Sequence, residues 1–212
     1  VIVANKLGAI NASKFDKIDY LGYPFSISEN FQMRNTNKTI KDSEYELAEI
    51  ISIAEKVNKK VVVYLSMCFG NPYGDPWNLD IVNHWVYKLS KMGVNYISLS
   101  DTIGSSNPES IKSIFNSVLK NHKDIEFGAH LHSDPISWYD KLDSAFHAGC
   151  RRFDGAIKGF GGCPMASNKL VGNMPTEKIL SYLNTKKTSN NVNSLRFESC
   201  YNQSLEIFNK FH

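Results

Sequence analysis

Two imidazoles stand one residue apart in the stretch "GAHLHSDP", Gly128 to Pro135. A β-strand turns successive side chains to opposite faces. Ala129 and Leu131 then share an apolar face, and His130 and His132 share the other. A lone histidine among apolar residues is ordinarily a hydrogen-bonded core residue. Two on one strand face, turned to one cavity, call for a shared partner.

A second stretch, "GFGGCPMASNKLVGN", brings Gly159, Gly161 and Gly162 ahead of Cys163, with Pro164 after it. The glycines permit a tightly folded or opening loop. A thiol carried on such a loop just past a strand end is placed to act as an acid or a nucleophile. The plainer alternative is a turn with an incidental cysteine. Downstream, Asn173 either offers an amide oxygen to a hard cation or caps the helix that follows. In a third stretch, "SLSDTIG", alternation turns Ser98 and Ser100 inward and leaves Asp101 and Thr102 at the rim. Asp101 either takes part in chemistry or holds its loop through backbone bonds.

These residues need a scaffold that brings strand ends together. Six apolar strand segments alternate with helical ones: "VIVAN", "KIDYLGYP", "KKVVVYLSM", "VNYISLSDTIG", "IEFGAHLHSD" and "CRRFDGAIKG". The helical segments include a turn or short helix at "LGAINASKF" and a stripe of Leu47, Ile50, Ile51, Ala54 and Val57, starting near Asp42 or Ser43. They continue with a stripe of Val82, Trp85, Leu89 and Met92 stopped by Gly93, and a helix capped by Asn107 with Pro108 at its first position. Further helices cover "WYDKLDSAFHAG", "TEKILSYL" and the region around "NQSLEIFNKF". The polar run "SISENFQMRNTNKTIKDS" reads as a long loop. Strand–helix alternation implies a parallel sheet, and no G-x-G-x-x-G follows the first strand, which argues against a dinucleotide fold. Polar residues recur at strand C-terminal ends: Asn5, Ser66, Asp101, His132 and Lys158. A TIM barrel builds its site there. Its (β/α)8 closure needs eight units and about six are visible. Because "VIVAN" is a strand already running at residue 1, the N-terminal units are expected to be missing. The expected organisation is one truncated barrel domain over 1–212, with 185–212 as a C-terminal extension packing on it.

Composition sets the outer limits. The 212 residues are 42% hydrophobic and 21% charged, an ordinary globular balance for one substantial core. A formal net charge of +3 without a basic run argues against nucleic acid, and no apolar run is long enough for a membrane span. Cys68, Cys150, Cys163 and Cys200 fit neither a disulfide framework nor a zinc knuckle, which points to a reduced, intracellular compartment.

Taken in order, "VVVYLSMCFGNPYGDP", "YISLSDTIG", "GAHLHSDP", "RRFDGAIKGFGGCPMA" and "GNMPTE" resemble the hydroxymethylglutaryl-CoA lyases, in the barrel superfamily of metal-dependent Claisen-type lyases and synthases. The resemblance implies that His130, His132 and Asn173 are metal ligands and that Cys163 is the catalytic cysteine of a mobile loop. It aligns Asp101 and Thr102 with the polar pair of the family's S-L-x-D-T segment, Ser98 with its serine, Tyr64 with an active-site tyrosine and Asn35 with an active-site asparagine. Asp101 and His130 would join Cys163 in catalysis, and Asn35, Tyr64, Ser98 and Thr102 would contact substrate. Two departures stand out. "SDP" follows the histidine pair where the family has Asp-Thr. The family's Arg-Asp pair, which supplies a fourth protein ligand and a thioester contact, does not occur ahead of "VIVAN", so the chain resembles about three-quarters of a lyase.

The implied reaction is retro-Claisen cleavage of 3-hydroxy-3-methylglutaryl-CoA to acetoacetate and acetyl-CoA, a step of leucine degradation. The implied cofactor is a divalent cation. Two imidazoles with oxygen ligands suit Mg²⁺ or Mn²⁺ and also admit Zn²⁺. The implied partners are an acyl-CoA and a second copy of the chain, and the implied location is the cytoplasm, or the mitochondrial matrix in a eukaryote. A condensing synthase of the same superfamily would share H-x-H and the barrel, but those synthases generally lack the G-G-C-P loop. A non-catalytic remnant would bind a metal or partner and turn nothing over.

Overall fold

The computed structural model describes residues 1–162 and 171–208. Five parallel strands stand in sequence order, β1 Tyr20–Ser26, β2 Lys60–Ser66, β3 Tyr96–Asp101, β4 Glu126–Leu131 and β5 Arg152–Phe153. Helices connect them: α1 Lys6–Ser13, α2 Glu29–Thr36, α3 Ile40–Lys56, α4 Leu79–Lys91, α5 Pro108–Asn121 and α6 Trp138–His147, followed by α7 Thr176–Thr185 and α8 Ser194–Phe208. The sheet is open among the described residues. "VIVAN" is not a full strand: it meets β1 at a single bridge, Ile2 to Gly22, flanked by hydrogen bonds between Val1 or Val3 and Gly22. The last predicted strand shortens to two residues, continued by a parallel bridge from Ala156 to Pro175.

Strand and helix chemistry explain the layers. Val63, Leu65, Ile97, Leu99, Ala129 and Leu131 are buried against the helices. The helices answer with Leu47, Ile50 and Ala54 from α3, Val82, Val86 and Leu89 from α4, and Ile111, Ile114, Phe115 and Val118 from α5. Each of the buried Val, Leu, Ile and Phe side chains contributes about 1.5–3 kcal/mol by leaving water. The opposite strand face carries Tyr64, Ser98, Ser100 and His130. Register lines these up: Pro24 pairs Tyr64, Tyr64 pairs Ser98, Ser98 pairs Gly128 and Gly128 pairs Arg152. Ser100 pairs His130 one pleat further along.

Several local expectations change. The polar stretch 26–43 is not a loop throughout, because α2 lies within it. Ser28 caps α2 by accepting from Phe31 N, and Asp75 accepts from Ser28 Oγ and from Asn30. The cap of α3 is Thr39, in a capping box with Asp42, not Asp42 or Ser43 itself. Val57 falls at the α3 C-cap and is exposed. Asn107, Pro108, Gly93 and Gly149 hold the predicted helix ends, the two glycines at φ 91° and 103°.

Candidate active site

The strand C-terminal ends open into a cleft of about 1070 Å³. Asn35, Tyr64, Ser66, Ser100, Thr102, His130, His132, Asp154, Gly162 and Asn173 line its polar part, and Ile179, Leu180, Leu183 and Val192 its apolar flank. The alternation read in "GAHLHS" holds: the His130 and His132 rings lie 5.4 Å apart, and the Tyr64 ring stands edge-on to His130, also at 5.4 Å.

His132 is fixed on every side but one. It is 3% exposed, its backbone bridges to Asn173, and Val171 O accepts from its Nδ1 at 3.0 Å. A carbonyl can only accept, so Nδ1 carries the hydrogen and the neutral ring keeps its Nε2 lone pair. Burial pulls its pKa below the usual histidine value, the bond to Val171 opposing, so the ring is neutral near pH 7 as a ligand must be. His130 Nδ1 is buried without a hydrogen-bond partner, with Asp154 Oδ2 3.5 Å away. Asn173 donates from Nδ2 to Phe160 O, which fixes the amide and leaves Oδ1 as its acceptor. It does not cap α7, whose start has no side-chain cap. Two imidazoles and one amide oxygen on a common cleft fit a divalent cation. Among the described residues no three His, Cys, Asp or Glu side chains cluster as ligands, so this trio relies on the amide.

The substrate-facing residues divide. Asn35, Tyr64 and Thr102 line the cleft, and Thr102 Oγ1 accepts from Met67 N. Ser98 is fully buried beneath it. Its hydroxyl donates to Asp154 Oδ2 at 3.0 Å and accepts from Arg152 Nη1 at 3.1 Å. A Cβ at position 128 would stand 2.7 Å from Arg152 Cζ and push that guanidinium aside. Ser98 thus places Asp154 next to His130. Asp101, read as catalytic, is not among the cleft residues. Ser106 N and Oγ and Lys141 Nζ occupy its carboxylate, so it holds its loop through side-chain as well as backbone bonds. Asn5 caps α1, and Lys158 lies in a 3₁₀ turn at φ 55°, away from this cleft.

Two polar residues behind the imidazoles carry little signal in the sequence. Asp154 directly follows β5, whose two-residue length puts the strand's rim four residues earlier than Lys158. Lys141 sits with Trp138, Leu142 and Ala145 at helical spacing, so it occupies the apolar stripe of α6, a placement that marks a buried, paired lysine. Cys163 lies outside the described residues. Cys68 and Cys150 are buried and their thiols are pushed up to about 12 by that burial, so neither is a nucleophile.

The family model described as HMGL-like matches residues 13–202. The chain belongs to the HMGL-like family. A hydroxymethylglutaryl-CoA lyase of Bacillus subtilis is 30% identical over 167 residues, which cover 79% of this chain and 56% of that protein. The crystal structure of the HMG-CoA lyase of the same species superposes with a TM-score of 0.88 at 28% identity, over 98% of this chain and 69% of the other. An HMG-CoA lyase of Acinetobacter baumannii, in complex with coenzyme A and 3-methylmalate, gives 0.80 at 26% identity, over 91% and 62%. The chain spans about half the length of the curated relatives it matches. The five-stranded sheet is therefore the HMGL-like TIM-barrel architecture, present in part. No helix among the described residues is long and apolar enough to cross a membrane.

Proposed function

We propose that this chain carries the cation-binding and much of the substrate-facing wall of a lyase cleaving 3-hydroxy-3-methylglutaryl-CoA to acetoacetate and acetyl-CoA. The observation that carries this reading is the trio His130, His132 and Asn173 on one cleft, in a chain of the HMGL-like family. His132 Nε2, a His130 ring nitrogen and Asn173 Oδ1 would hold Mg²⁺ or Mn²⁺, with Zn²⁺ also compatible. Such a cation favours ionisation of the substrate's tertiary hydroxyl and polarises the ketone as the carbon–carbon bond breaks.

The chain's own residues supply the rest. Asp154 sets a carboxylate 3.5 Å from His130 Nδ1, and Ser98, itself bonded by Arg152, places Asp154. Tyr64, Asn35 and Thr102 offer hydrogen bonds to the substrate's polar groups, while Ile179, Leu180, Leu183 and Val192 flank the cleft with apolar surface suited to the thioester arm of an acyl-CoA. Cys163 is proposed as the acid that protonates the departing acetyl-CoA enolate. The reading is tested by incubating the native protein with 3-hydroxy-3-methylglutaryl-CoA and Mg²⁺ or Mn²⁺, alongside acetyl-CoA with a 2-keto acid. Equal amounts of acetoacetate and acetyl-CoA from the first mixture, lost in His132→Ala, are expected. Free CoA thiol from the second mixture with none of the cleavage products would replace the lyase by a synthase.

A further inference from the structure

A charged side chain outside the cleft holds the proposed ligand in place. Lys141, on the buried face of α6, is 3% exposed. Its ammonium has three hydrogens and three acceptors: Asp101 Oδ2 at 2.8 Å, Gly104 O at 2.8 Å and His132 O at 2.9 Å. Asp101, also buried, is completed by Ser106. A buried ion pair is retained only with such full coordination, because both charges have left water. The pair joins three elements: the end of β3, the loop after it and the residue just past β4.

Two routes run from this ammonium to one imidazole. The first is direct, through the carbonyl of His132. The second passes through Gly104, at φ 70°, whose Cα packs so closely on Val171 that a Cβ would stand 2.8 Å from Val171 Cγ1. Val171 O is the acceptor that sets the His132 ring. Backbone and ring of the same ligand are thus both anchored through Lys141. We infer that Lys141 is a positioning residue for the cation site, aiming His132 Nε2 into the cleft with Asp101 as its counter-charge. This rests on the reading of His132 as a ligand.

The test is Mn²⁺ binding to the folded chain, read by calorimetry together with thermal melting. Lys141→Met alone strands the Asp101 carboxylate, so the deciding variant is Asp101→Asn with Lys141→Met, which leaves no unpaired charge. Positioning predicts a melting temperature close to the parent's and Mn²⁺ affinity about 10- to 100-fold weaker, the usual loss when support behind a ligand is removed. Parental Mn²⁺ affinity in the double variant overturns the role of Lys141 while His132→Ala still weakens binding. If neither Lys141 variant folds, the pair serves the fold alone and the positioning role falls. If the parent binds no Mn²⁺, or His132→Ala binds as the parent does, the ligand reading itself fails and this inference with it.

Discussion

A histidine becomes a ligand when its surroundings keep one nitrogen busy and the other bare. His132 meets that condition through Val171 O, and its burial holds the ring neutral. The spacing of "HLH" alone was sufficient to find both imidazoles, since strand alternation is a strict geometric rule. It could not show what stands behind them. Arg152 lies on β5, Asp154 just after it and Lys141 on α6, and packing brings them behind the imidazoles. Cys163 belongs to the same scale. A thiol that acts as an acid is needed for turnover and contributes nothing to holding a cation. Cys163→Ser is expected to keep Mn²⁺ and substrate affinity while losing about two to four orders of magnitude in turnover. Cys150→Ser and Cys200→Ser, measured side by side, are expected to stay near the parent's rate. Near-parental turnover in Cys163→Ser removes the thiol from the mechanism.

Among elements, the strands with strong apolar alternation, β1 to β4, were legible, as were helices with a clear stripe and stop. The helix α2 was not. Residues 26–43 are mostly polar, and the segment is helical because tertiary contacts cap it: Ser28 Oγ donates to Asp75, as do Asn30 N and Nδ2. This cap matters to the site, because α2 carries Asn35 to the cleft wall. Ser28→Ala is expected to lower stability by about 1 kcal/mol in urea unfolding. Burial works against the Asp75 carboxylate, but the hydrogen bonds from Ser28 and Asn30 outweigh it and set its pKa below the ordinary value. A depressed carboxylate stabilises the fold above its unfolded pKa, and that contribution disappears as the pH falls through the folded one. Unfolding measured between neutral pH and pH 3 is expected to show less acid loss in Asp75→Asn than in the parent. An identical acid limb in the two would discount the cap.

At the scale of the molecule, five strands in sequence order leave two sheet edges. Tyr20–Ser26 meets only the short bridge at Ile2 on its outer side, and Arg152–Phe153 is two residues long. Val1 and Ile2 expose apolar side chains beside the first edge, and Leu7 and Phe15 are exposed nearby in sequence. Unpaired backbone beside apolar surface favours strand addition between molecules. The 212-residue chain is therefore expected to self-associate at micromolar concentration in sedimentation velocity, with mutations to Lys at Ile2 and Leu7 reducing it. A monodisperse monomer with a single cooperative unfolding transition would contradict this. Barrel architecture was legible from the alternation of strands and helices and from polar residues gathered at strand ends. The number of strands was not, because a bridge of one residue pair and a seven-residue strand look alike as short apolar runs.

The central claim is that two imidazoles of β4 and its end share one divalent cation. Electron spin-echo envelope modulation of Mn²⁺ bound to the chain tests it most directly, because directly ligated histidine nitrogens modulate the echo. The account predicts coupling from two such nitrogens in the parent, one in His130→Ala and one in His132→Ala. Bound Mn²⁺ whose echo carries no histidine nitrogen modulation, or whose modulation is unchanged in both variants, would contradict it.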